Sequence, residues 1–129
     1  MNSDLSDYIK KWLEKAEHDM EAAKLIIEMK PVILDIACFH CQQAVEKYLK
    51  AFLIFNNKTI IKTHSIELLI EECRLIDSEF TGIDFKNLDE YAVEIRYPDS
   101  FLQPDLKETK EYFSMAMEIQ KLVLSKIKV

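Results

Sequence analysis

Residues Ile36 to Phe55, IACFHCQQAVEKYLKAFLIF, read as one helix that is apolar around most of its circumference. Ala37, Cys41, Ala44, Tyr48, Phe52 and Phe55 form one apolar stripe, and Cys38, Val45, Leu49 and Phe52 form another. A helix apolar on several sides belongs in the middle of a bundle. His40, Gln43, Lys47 and Lys50 fill the remaining narrow line, at steps of three, four and three residues that put them on one face. A polar, basic line on a central helix costs desolvation free energy unless it faces a groove, a ligand or a partner chain. The alternative is a solvated strip whose lysines carry their ammonium groups out to water.

Helical periodicity extends to both sides of this segment. Trp12, Ala16, Met20, Ala23 and Ile27 repeat at four, four, three and four residues, so a first helix is predicted from about Asp4 or Ser6 to Met29. Pro31 ends it, and the short connection makes the first two helices antiparallel neighbours. Asn56-Asn57 and the β-branched run from Thr59 to Thr63 read as a loop or extended link. A short third helix capped by Thr63 or Ser65 follows, with Ile66, Ile70 and Cys73 on its buried side and its end near Asp77. Gly82 supplies a turn, and Asp84 is predicted to cap a fourth helix, stapled by Ile83 and Leu88 and closed by Arg96-Tyr97-Pro98. Asp105 and Glu108 have capping-box spacing before a last helix whose buried face is Phe113, Ala116, Ile119, Val123 and Ile127.

Composition points the same way. The 129 residues suit a single domain, and a lone glycine, Gly82, means long regular elements and few tight turns. The expected class is all-α, an up-and-down bundle of four to five helices over residues 1–129. A net charge of -6 argues against a protein that coats nucleic acid non-specifically, because phosphate binding needs clustered cations. Every apolar run is interrupted short of the roughly 20 residues that cross a bilayer. Three cysteines, no signal-like N-terminus and no apparent disulfide framework make a reducing cytoplasm the expected location.

Cys38-Phe39-His40-Cys41 has the spacing of a redox or zinc motif, yet it lies inside a helix rather than at a helix N-terminus. Further ligands could come only from Cys73, His18 and His64, which are scattered singly, so the cysteines read as small core residues and no metal or cofactor is expected. His64 serves a local turn and His18 faces solvent. Arg96 and Tyr97 sit at a predicted helix end, where an arginine satisfies free carbonyls. A guanidinium beside a phenol is also a pair that binds phosphate and stacks on a base. No glycine-rich loop or activated serine is present. The candidate ligand-binding set is therefore Arg96, Tyr97, His40, Gln43 and Lys47, with no catalytic or metal-binding residue assigned.

Trp12 with Ala16, Asp19 and Ala23, the run from Ala37 to Ala51, Thr63-His64-Ser65 and Arg96-Tyr97-Pro98 together resemble a HEPN domain, named for higher eukaryote and prokaryote nucleotide-binding. The resemblance runs over nearly the whole chain in the expected order. It implies a helical bundle, usually a homodimer, often encoded beside a minimal nucleotidyltransferase. Some branches of the family are ribonucleases, many of them toxins, that use an arginine separated by four to six residues from a histidine. Here the positions after Arg96 hold Phe101, Leu102 and Gln103, and those after Arg74 hold Glu79, Phe80 and Thr81. Losing the imidazole removes a general acid or base worth about 10²- to 10⁴-fold. The departure implies a non-cleaving protein that binds a nucleotide, an RNA phosphate or a nucleotidyltransferase partner. Two alternatives stand beside it: a ligand-free, antitoxin-type interaction subunit, and a metal-independent ribonuclease in which His40 replaces the missing histidine.

Overall fold

The computed structural model describes residues 3–30, 33–93, 97–98 and 102–129, and these contain four α-helices: α1 (Ser3–Glu28), α2 (Leu34–Phe55), α3 (Ile66–Ile76) and α4 (Leu106–Lys126). α2 packs against all three others and supplies the largest share of the core, as its several apolar stripes require. Asp19 meets His40 while Trp12 lies against Lys50, so α1 runs antiparallel to α2. α4 advances along α2 in the same direction, with Thr109 beside Cys38 and Gln120 beside Tyr48. α3 does likewise, from the Gln42 contact with His64 to the Cys73 contact with Leu49. The stretch 56–65 links α2 to the parallel α3.

Local chemistry sets the helix ends. Asn57 takes a left-handed conformation at φ 61° that closes α2, and the Asn56 side chain donates to the Phe52 carbonyl at 2.8 Å. Of the two residues expected to cap α3, Ser65 does so, its hydroxyl accepting from the Leu68 amide at 3.2 Å. Asp105 caps α4, accepting from the Glu108 amide at 2.7 Å, which is one half of the expected box. Gly82 adopts φ 83°, the positive value its turn requires.

The predicted fourth helix needs correction. Asp84 does not cap a helix; its carboxylate accepts from the Lys86 amide at 2.8 Å and makes a tight turn with Lys86 at φ 51°. The described part of the segment is a 3₁₀ turn over Leu88–Ala92 preceded by Asn87. One physical reason is Asp89, whose carboxylate turns away to accept from the Ile66 and Glu67 amides at 2.8 and 3.3 Å, giving the start of α3 an acceptor from another segment. Residues 94–96 of that predicted helix, Arg96 among them, lie outside the described residues.

The buried face of α4 is also rotated slightly. Thr109 and Tyr112 are fully buried beside Ala116, Ile119 and Val123, whereas Phe113 is only partly so. Tyr112 meets Tyr91 edge to face, with ring centroids 5.9 Å apart.

Cys38, Cys41 and Cys73 are free and fully buried, and loss of hydration raises all three thiols, Cys38 to about 11 and Cys73 to about 12. Burial likewise raises the phenols of Tyr48, Tyr91 and Tyr112. Folded acids that titrate later than their unfolded forms stabilise the fold fully below the unfolded value. Stability should therefore be level with respect to these groups up to about pH 9 and then fall as unfolded thiols ionise near 9.0, by about 1.4 kcal/mol per pH unit for each such group. Urea midpoints between pH 8 and 10.5 test this. Iodoacetamide at pH 8 should modify none of the three thiols in the folded protein and all three in urea; rapid labelling of the native chain would contradict the packing.

Candidate functional site

Asp19 is the residue around which the α2 line is organised. It sits on the α1 stripe between Ala16 and Ala23, 8% exposed, with its carboxylate turned toward α2. Oδ1 pairs with His40 Nδ1 at 2.9 Å and Oδ2 accepts from Lys47 Nζ at 2.5 Å. A carboxylate between two groups that can carry positive charge offsets its own desolvation and theirs. His40 and Lys47 are half-buried, with side-chain exposures of 27% and 23%.

A second polar run lies one helical row away. Gln42, Glu46 and Lys50 repeat at four-residue intervals and are all buried, at 0%, 3% and 7% exposure. Gln42 donates to the His64 carbonyl at 2.8 Å, Glu46 pairs with His64 Nδ1 at 2.9 Å, and Lys50 Nζ stands 3.5 Å from the other Glu46 oxygen. The Lys50 ammonium also lies 5.6 Å from the centre of the Trp12 ring. Gln43 joins the two rows, donating to Gln42 Oε1 at 2.7 Å. Among the described residues no buried side-chain polar atom is left without a partner.

Three of the five candidate residues, His40, Gln43 and Lys47, are thus gathered on one seam between α1 and α2. Tyr97 is exposed, and no hydrogen bond or ring contact ties it to that seam among the described residues. Arg96 lies outside the described residues. Lys50 belongs to the buried row, and His64, expected to serve a local turn, is itself exposed and bonds that row's buried Glu46 carboxylate. His18 faces solvent as expected. The chain has a third internal polar cluster where Tyr48 donates to Glu17 at 2.5 Å and Gln120 donates to both.

Sequence reasoning passed over Asp19, Gln42 and Glu46 as site groups. Asp19 on an otherwise apolar stripe, and Gln42, Glu46 and Lys50 at successive helical turns, were the available signals. No group of three or more possible metal ligands occurs among the described residues, and none of their helices is long and apolar enough to cross a membrane.

The sequence pattern of the HEPN domain matches residues 9–129. The chain is 29% identical over 114 residues to the putative toxin MJ1304 of Methanocaldococcus jannaschii, an alignment covering 81% of this chain and 73% of that protein. Among solved structures it is similar to ST0689, an archaeal HEPN homologue, at a TM-score of 0.67 and 26% identity, covering 93% of this chain and 98% of that one. TT1696 from Thermus thermophilus is similar at the same TM-score and identity, over 92% of this chain and 98% of that one. With the four-helix architecture already established, these matches over nearly the full chain place the protein in the HEPN domain family.

Proposed function

We propose that this HEPN protein binds a nucleotide or a nucleic-acid phosphate without cleaving it, as a homodimer working beside a nucleotidyltransferase in a reducing cytoplasm. The observation that carries the reading is the α1–α2 seam, where Lys47 and His40 stand half-exposed on a single carboxylate with Gln43 beside them. Lys47 supplies charge, His40 and Gln43 supply hydrogen bonds, and Arg96 and Tyr97 are the proposed phosphate and stacking groups. The absence from the sequence of a histidine at the spacing used by HEPN ribonucleases supports the non-cleaving role. Calorimetric titration of the full chain with ATP and with a short RNA should give binding that weakens at least tenfold in the Arg96→Ala, Lys47→Ala double variant. Equal affinity in wild type and variant overturns this site.

A second reading, a metal-independent ribonuclease toxin, is favoured by the His40 to Asp19 hydrogen bond and by the name of the Methanocaldococcus jannaschii relative. An imidazole held at Nδ1 by a carboxylate is the arrangement of an oriented general base. RNA incubated with the protein in EDTA decides it: cleavage lost in His40→Ala supports this mechanism, and an intact substrate removes it.

A further inference from the structure

A small cavity beside the seam combines features that the seam lacks. Tyr8, Lys11, Trp12 and Lys15 come from successive turns of one side of α1, and with Lys47 of α2 they line a cavity of about 190 Å³. Tyr8 and Trp12 meet edge to face, with centroids 6.3 Å apart and planes at 77°. The lysines contribute methylene stems to the walls and ammonium groups to the surroundings. Trp12 is braced from within the fold, because the Lys50 ammonium lies 5.6 Å from its ring centre and is itself paired with Glu46.

Of the lysines lining the cavity, Lys47 pairs with Asp19, whereas Lys11 and Lys15, like most lysines of the chain, pair with no described carboxylate. Two lysines four residues apart on one helix repel by about 0.2–0.5 kcal/mol, and an anion between them removes that penalty. In a protein of net charge -6, two unneutralised ammonium groups beside two aromatic rings select a ligand that is flat, apolar in its body and negatively charged at one end.

We propose that this cavity takes one nucleobase, from a free nucleotide or from a single-stranded nucleic acid, with the ring against Tyr8 and Trp12 and the adjoining phosphate at Lys11 and Lys15. The proposal rests on the nucleotide reading above and specifies where the base lies. Base-on-aromatic stacking is worth about 1–3 kcal/mol and tolerates any base, so the cavity contributes affinity and little sequence preference. Lys47 is shared with the seam, which puts the stacked base and the His40, Gln43 and Lys47 groups within one continuous binding surface.

Trp12 is the sole tryptophan of the chain, so its emission reports on this cavity alone. Titrating the full-length protein with AMP, ATP and an oligouridylate, in parallel with inorganic phosphate, should quench Trp12 with the nucleotides or the oligomer and not with phosphate. Quenching by AMP or ATP identifies a free nucleotide, and quenching by the oligomer alone identifies a strand. The Lys11→Gln, Lys15→Gln double variant changes only surface charge and should bind at least tenfold more weakly. For the strand, its log-affinity against log-salt slope should be shallower by about 1.4. Trp12→Phe, which keeps a ring, should retain calorimetric binding that Trp12→Leu loses. Calorimetric nucleotide binding with unchanged Trp12 emission and undiminished affinity in the lysine variant overturns this cavity while leaving the nucleotide reading intact. No heat with any nucleotide or RNA removes both.

Discussion

Replacing Glu46 with glutamine should lower the free energy of unfolding by about 3–5 kcal/mol, the range for removing one partner of a buried ion pair. Glu46 and Lys50 are 3% and 7% exposed, one turn apart on the central helix, and the Lys50 ammonium has two neighbours that favour its charge, the Glu46 carboxylate and the Trp12 face. Without the carboxylate the ring alone contributes about 0.5–2 kcal/mol, too little to offset burial of an ammonium group. Glu46→Gln keeps the shape and a hydrogen-bonding oxygen for His64, so the loss isolates charge. Adding Lys50→Met should restore most of the stability, because an apolar side chain needs no counterion. The measurement is the urea midpoint at unchanged m, in a double-mutant cycle whose coupling exceeds about 1 kcal/mol. Single-variant midpoints within about 0.5 kcal/mol of wild type would mean that the pair is hydrated in solution.

That buried row also marks the limit of what could be read in the sequence. α2 was legible from its unbroken apolar stripes, and α4 because apolar period and capping chemistry agree, with Asp105 and Glu108 opening it. Periodicity treats every polar side chain as a mark of the outside, so the α2 face carrying Gln42, Glu46 and Lys50 was not legible as interior. The partners of Gln42 and Glu46 outside the helix lie 18 to 47 residues away, at His64 and Asp89. The segment from Ile83 onward misled for a related reason. Asp84 and Leu88 satisfy the local signature of a helix start, but Asp84 bonds two residues on rather than three, and Asp89 is engaged by the amides of α3. Local capping rules cannot weigh a distant helix that offers a better donor. Of the candidate site, His40, Gln43 and Lys47 were legible as a line on one face; that α1 supplies Asp19, Trp12, Lys11 and Lys15 beside it requires the antiparallel register of α1 on α2, which no spacing within either helix contains.

Asp19→Asn should separate stability from ligand affinity by moving them in opposite directions. In the native chain one carboxylate holds both His40 and Lys47, and charge-assisted hydrogen bonds of this kind contribute about 1.5–3 kcal/mol each. Asparagine keeps the size and one acceptor but removes the charge, so the unfolding free energy should drop by about 2 kcal/mol. Lys47 lines the aromatic cavity as well as bonding Asp19, so the same change leaves one more unneutralised ammonium at the binding surface. Affinity for ATP or a short RNA should then rise about fivefold to tenfold at low salt and the gain should shrink as ionic strength increases, since an exposed charge is screened. A seam that serves only to lock α1 on α2 makes a different prediction, namely lower stability with no change in nucleotide affinity at any salt concentration. Measuring the urea midpoint and the calorimetric affinity on the same preparation distinguishes the two. Asp19 then either restrains a cation that would otherwise meet phosphate or has no part in binding, and the sign of the affinity change decides between them.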